Sequence, residues 1–329
     1  MTKQAWSFLL KAIVSVAILV FLITRVDWDI DQFILIAKTI NIYWYLISLT
    51  GVIIVLFLKS VRWNLLLRQE GCIYPFKSSF AVYMASVTIG LLTPGRIGEI
   101  ARLYYIRQER DISFYNSFKT IVVDRIFDFS LLFLFGGSGL LFYYKLLGNF
   151  NPLIYLFIVG LVMLIGWGII AILLKIVKSE KIYLTFLKES WNKMFNKPMG
   201  YPWLLTLLSY FLFYVANWLI LISLNQQISL VEMSFIMSIM SLVTLIPITI
   251  AGFGTREVSI VFLFSFYGIT PEIAIVFSLL QFIAFFLWGG IIGWIFWILK
   301  PVKIDLIRQD ASKLFSMLRR DRNSGMKVL

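Results

Sequence analysis

Histidine is absent from these 329 residues, and there is a single cysteine, Cys72. Without histidine, imidazole is unavailable as general base, zinc ligand or haem ligand. One cysteine excludes an intrachain disulfide. Charge is scarce as well, at 14% of residues, where a typical soluble domain carries about 25%. The apolar runs are continuous and lack the alternation of a transmembrane β-strand, which argues against a β-barrel. No ATP-binding motif is present. The Gly252-Phe253-Gly254 stretch is not a dinucleotide fingerprint, because no strand precedes it.

What the sequence has in excess is apolar surface. It is 60% hydrophobic with a mean hydropathy of +0.89. Several runs reach the ~20 residues that cross a bilayer. The expected fold class is therefore an all-α polytopic membrane protein in the cell membrane. A formal charge of +13 would suggest nucleic acid on a soluble protein. Here most of it falls in loops, where it sets topology, and no nucleic-acid partner is expected.

The pattern predicts full spans at about 6–24, 42–58, 119–142, 153–174, 201–223 and 273–299. No small-residue cleavage site separates the first run from Asp27, Asp29 and Asp31, so it reads as a span and not as a leader. Residues 25–41 read as a loop, and Lys59, Arg62, Arg68 and Lys77 as a basic loop after the second span. Two apolar segments are broken: about 78–106, around Pro94-Gly95-Arg96-Ile97-Gly98-Glu99, and about 233–267, around Gly252-Phe253-Gly254-Thr255-Arg256-Glu257. Proline and glycine together disfavour a continuous helix at the first.

With basic loops placed in the cytoplasm, both termini are cytoplasmic and each broken segment enters and leaves on one side. The result is six full transmembrane helices plus two re-entrant helical hairpins. Each half, about 1–147 and 148–300, reads span, span, re-entrant, span, with opposite starting sides. That is an inverted repeat, followed by a basic cytoplasmic tail at 301–329. Residues 180–196 and 303–320 fit amphipathic helices lying on an anionic leaflet. In this topology only Lys11, Arg96, Arg125 and Arg256 among the cations lie within apolar sequence.

Ionisable residues at membrane depth are a functional-site hypothesis by default. A helix beginning after Pro94-Gly95 presents its positive dipole end there, and Arg96 adds a full charge, which suits a phosphate or carboxylate. Glu99 lies one turn away and neutralises Arg96 when the site is empty, while Gly98 permits close approach. Gly252, Gly254, Arg256 and Glu257 offer the same parts in the second half. Asp124, Arg125 and Asp128 fall on one helical side of the span between them. Candidate pairings are Arg125 with Glu99, and Asp124 or Asp128 with Arg96 or Arg256. The competing reading of every one of these charges is structural: pairs that lock the two halves together. Enzyme chemistry has little support, since the carboxylates are matched with arginines that favour the unreactive ionised form.

At these residues the chain resembles the lysylphosphatidylglycerol synthase transmembrane region family, the flippase-like membrane domain of MprF proteins. The resemblance rests on Arg62-Trp63 with Leu65-Leu66, Pro94-Gly95-Arg96-Ile97-Gly98-Glu99, Asp124-Arg125, and Gly252-Phe253-Gly254 followed by Glu257. It spans about residues 1–300. It implies a domain that moves or handles phospholipids or polyprenyl-linked lipids, with Arg96, Glu99, Arg125 and Glu257 as its candidate site residues. Two departures stand out. Only about 30 residues follow the last expected span, so the soluble transferase domain of bifunctional members is not expected here and the word synthase is not expected to transfer. The late segment has Pro247-Ile248-Thr249 in place of a Pro-Gly pair. The expected function is a lipid flippase or transporter for an anionic phospholipid or polyprenyl-phosphate-linked lipid, needing no cofactor. Its expected partners are membrane lipids with anionic headgroups and cell-envelope synthesis proteins. The rival readings are a lipid-modifying transferase and a non-transporting scaffold.

Overall fold

The computed structural model describes residues 30–91, 99–110, 112–147, 197–245 and 252–299. The expected spans at 6–24 and 153–174, the Pro94–Gly98 turn, both amphipathic stretches and the tail lie outside the described residues. Every element among the described residues is helical: α1 (Ile30–Thr39), α2 (Ile42–Gln69), α3 (Phe76–Leu91), α4 (Ala101–Glu109), α5 (Phe114–Leu147), α6 (Gly200–Ser223), α7 (Leu230–Leu245), α8 (Thr255–Ser265), α9 (Pro271–Phe282) and α10 (Gly289–Leu299). A π-helical segment, Ile283–Trp288, joins the last two.

Four of these stretches are long and apolar enough to cross a membrane: Ile42–Gln69, Asn116–Tyr144, Gly200–Ser223 and Pro271–Leu299. Their ends follow local chemistry. Asn41 accepts from the Tyr43 N–H at 3.2 Å and caps α2. Pro271 opens α9 at a position where its missing N–H is not needed. The second broken segment is broken as expected, by a turn at residues 252–254 ahead of α8; the expected break between α3 and α4 falls on residues 92–98, outside the described residues.

Two expectations are corrected. Residues 30–39 form a helix where a loop was expected. Asp31 in its first turn and Lys38 in its last complement the helix dipole, and Ile36 packs on the core. The second span does not end near residue 58. It continues to Gln69, because Lys59 and Arg62 find carboxylate partners on α5 and need no water.

Helix α2 packs along α6, α3 along α10, and α7 along α5. Each broken segment's first helix thus lies against a span from the other half. Small residues let these helices approach. A Cβ on Gly293 of α10 would sit 2.3 Å from the Met84 carbonyl oxygen of α3, so only glycine fits there. The largest apolar cluster joins α2 and α5 to α6–α9. A second gathers Trp63, Leu67 and Tyr74 with α3 and α4, and a third gathers Leu66, Val123, Phe127 and Met199.

Candidate functional site

Where α2, α4 and α5 meet, seven ionisable side chains form one network. Lys59 and Arg62 come from α2, Glu99 and Arg102 from the turn into α4 and its first residues, and Asp124, Arg125 and Asp128 from α5. Arg62 is completely buried. Its Nε donates to Asp124 Oδ1 at 2.8 Å, its Nη2 to Asp128 Oδ1 at 2.9 Å, and its Nη1 to Thr206 Oγ1 of α6 at 2.9 Å. Lys59 Nζ reaches the same Asp128 oxygen at 3.0 Å.

Arg102, also fully buried, spans the other side of Asp124. Its Nη1 lies 3.2 Å from Asp124 Oδ2 and its Nη2 3.1 Å from Glu99 Oε2. The guanidinium lies 4.8 Å from the Tyr83 ring centroid and 5.3 Å from that of Trp63, which helps hold a desolvated cation. Trp63 is itself fixed by donating to Thr120 Oγ1 at 3.2 Å. Glu99 is seated by Gly90: a Cβ there would stand 2.6 Å from Glu99 Cγ.

Arg125 and Lys59 are less enclosed than the other two cations. Arg125 pairs with Glu99 Oε2, and its Nη1 is 3.6 Å from Asp128 Oδ2. Its side chain is 23% exposed and that of Lys59 19%, against 0% for Arg62 and Arg102. Among the described residues the network holds four cations against three carboxylates. The excess positive charge has an accessible edge, formed by Arg125 and Lys59; of the two, Arg125 is the one that holds Glu99.

The second break is built differently. Gly252 and Gly254 adopt φ of 78° and 89°, conformations that favour glycine. That turn aims the Gly254 N–H at Glu257 Oε2, 2.7 Å away, closing the start of α8. Arg256 pairs with Glu257 Oε1. Ser278 of α9 donates to that same oxygen at 2.9 Å and accepts from Arg256 Nε at 2.8 Å. Phe253, Phe282 and Phe286 surround the guanidinium at 5.2–5.8 Å. Arg256 is 2% exposed, and its Nη1 has no hydrogen-bond partner.

The structure thus joins Glu99, Asp124 and Arg125 in one cluster, as the Arg125–Glu99 pairing anticipated. Gly252, Gly254, Arg256 and Glu257 form another. Pro94, Gly95, Arg96 and Gly98 lie outside the described residues. The pairing of Asp124 or Asp128 with Arg256 is corrected: Arg62, Arg102 and Lys59 take those carboxylates, while Arg256 turns to its neighbour. Sequence reasoning also missed Lys59 and Arg62, read as loop cations, and Arg102, at the end of the first broken segment. The available signal was spacing. Lys59 and Arg62 are three residues apart, on one face of a helix whose apolar pattern could continue. In the loop before α3, burial and a hydrogen bond to Glu109 push the Tyr74 phenol well above its ordinary pKa.

The family described as lysylphosphatidylglycerol synthase TM region matches residues 8–293. A UPF0104 membrane protein of Methanocaldococcus jannaschii is 25% identical over 304 residues, covering 84% of this chain and 90% of that protein.

Proposed function

Because the chain belongs to the lysylphosphatidylglycerol synthase transmembrane region family, and is a multi-pass membrane protein, we propose that it moves an anionic lipid headgroup between leaflets. The observation that carries this reading is the contrast within the charge network. Arg62, Arg102 and Asp124 are sealed and mutually satisfied, and serve as framework. Arg125 is reachable, holds Glu99, and belongs to a cluster with positive charge in excess. A headgroup phosphate would replace Glu99 on Arg125, leaving Glu99 to Arg102, which already binds it. Arg96, three residues before Glu99 in the sequence, would complete the phosphate's contacts. Acyl or prenyl tails stay in lipid, where burial keeps them.

On this reading the second break is the counterpart on the other side. Arg256, closed by three phenylalanines and Glu257, would be the occluded site while Arg125 is the open one. The cross-packing of α3 on α10 and α7 on α5 supports two inverted repeats that exchange access by rocking. Both termini and the tail would then be cytoplasmic. Transport would proceed without chemical modification of the lipid.

The test uses purified protein in liposomes, with folded yield and headgroup translocation of labelled phosphatidylglycerol as readouts. Arg125→Gln and Arg96→Ala should retain yield and lose translocation. Arg125→Lys and Arg96→Lys should retain part of it. Translocation unchanged in the Arg125→Gln protein would remove Arg125 from the site. A lipid altered in mass by the protein alone would favour the transferase reading.

A further inference from the structure

A second polar region lies at the start of α2. At 1.5 Å per residue, α2 carries Asn41 about 27 Å away from Lys59, close to the ~30 Å of a bilayer's apolar layer. There a pocket of about 650 Å³ opens between the start of α2, the end of α6 and the turn into α7, within the size of small-molecule sites, about 300–1,000 Å³. Its rim is tied together. The Asn41 N–H donates to the Ser223 carbonyl at 2.8 Å, and Asn225 Nδ2 donates to the Thr39 carbonyl at 3.2 Å. Asn225 has a φ of 59°, a left-handed turn that asparagine tolerates.

Neither lysine nor arginine lines this pocket. A phosphate would find no cation there, and Glu232 would repel it. The lining is instead rich in amides and indoles. Asn41 spends its side-chain oxygen on capping α2, and Asn225 spends its side-chain nitrogen on Thr39. That leaves one NH2 group and one oxygen for the pocket. The side chains of Gln226 and Gln227 bond no group among the described residues, so each offers donors and an acceptor. Trp218 spends its one polar atom on the Ile228 carbonyl at 2.8 Å, so it gives the pocket apolar ring surface. Trp44, 41% exposed, gives more. An interfacial belt accounts for tryptophans, but not for four amides with open valences beside them. A hydroxyl both donates and accepts, so neighbouring hydroxyls pair with amides in both senses, while the C–H face of a sugar ring buries against indole. The Glu232 carboxylate, which alone would favour a cation, already accepts from the Ser229 hydroxyl at 2.6 Å and N–H at 3.2 Å.

We propose that this pocket binds a neutral sugar ring, either the glycosyl headgroup of a lipid or a free glycoside. The chain then has two kinds of headgroup site at two depths: cations for a phosphate around Arg125, and amides with indoles for hydroxyls around Trp44 and Gln226. Binding is measured without transport, so its outcome is separate from that of lipid movement.

The experiment measures thermal unfolding of the purified chain in phosphatidylcholine nanodiscs. These carry a hexosyl diacylglycerol (glucosyl and galactosyl forms in turn), diacylglycerol without sugar, or a lipid with a trimethylammonium headgroup, at equal mole fraction. A further sample adds the matching methyl glycoside to plain nanodiscs. The glycolipid should raise the midpoint saturably, by about 4 °C once it exceeds its dissociation constant ~10-fold. Diacylglycerol and the cationic lipid should not. A rise with the methyl glycoside as well supports the site with sugar alone as its ligand; a rise with the glycolipid alone assigns the lipid-borne form. Trp44→Ala, and Gln226→Ala combined with Gln227→Ala, should each abolish the rise, and Trp44→Phe should keep part of it. If a variant does not fold, binding of radioactive glycolipid to the wild-type protein decides. Displacement by unlabelled glycolipid but not by diacylglycerol supports the site; displacement by both or by neither overturns it. No rise with any sugar, a rise that survives in both variants, or a rise with the cationic lipid instead would also overturn it.

Discussion

Asp124→Asn is the perturbation that separates framework from site. Asp124 is completely buried and accepts from Arg62 Nε at 2.8 Å and Arg102 Nη1 at 3.2 Å. Replacing its carboxylate with a neutral amide leaves four described cations facing two carboxylates. It also turns an NH2 group toward one of the two guanidinium groups, which can only donate. Removing one partner of a buried pair costs about 3–5 kcal/mol. At about 2–4 °C per kcal/mol for larger domains, the midpoint should fall by roughly 10 °C. Arg125→Gln removes a cation instead, balances the described cluster at three against three, and leaves Glu99 on Arg102. With its side chain 23% exposed, that change belongs nearer the exposed limit of about 1 kcal/mol. The assay is a pair of readings on each purified variant: thermal midpoint, and headgroup translocation in liposomes. Asp124→Asn should lose stability first. Arg125→Gln should keep its midpoint and lose translocation. Equal midpoint losses, or an Asp124→Asn protein as stable as wild type, would refute the division between sealed and reachable charges.

Other substitutions probe the same construction. Gly90→Ala forces its Cβ against Glu99 Cγ; displacing that carboxylate should lower translocation and cost about 1–3 kcal/mol, read by liposome assay and thermal midpoint. Gly293→Ala meets backbone, the Met84 carbonyl oxygen, so α3 and α10 must separate; a comparable midpoint loss is expected with the charge network untouched. Glu257→Ala strips Arg256 of its ion pair and the α8 start of its cap, and should cost about 3–5 kcal/mol. Glu257→Gln should cost less, because an amide oxygen can still accept from the Gly254 N–H. Salt offers a control: surface charges are screened within about 10 Å at 0.1 M, whereas the midpoint loss of Asp124→Asn should be the same at 50 and 500 mM potassium chloride.

Sequence alone determined the membrane class, the existence of four spans, and the interruption at Gly252–Gly254. Long apolar runs admit few other structures, since backbone polar groups in lipid must be satisfied within a helix. It also brought Glu99, Asp124 and Arg125 forward, because charge at membrane depth is costly and therefore conspicuous. It could not tell where α2 ends. Lys59 and Arg62 look like loop cations until Asp124, Asp128 and Thr206 are known to face them across 62 to 144 residues of chain. The place of Arg102 likewise depends on the Trp63 and Tyr83 rings beside it. Local pattern decides what a segment can be, because hydrophobic length and helix breaks act over neighbouring residues. Which charges are sealed and which are reachable depends on contacts between distant helices, and only the tertiary structure decided that.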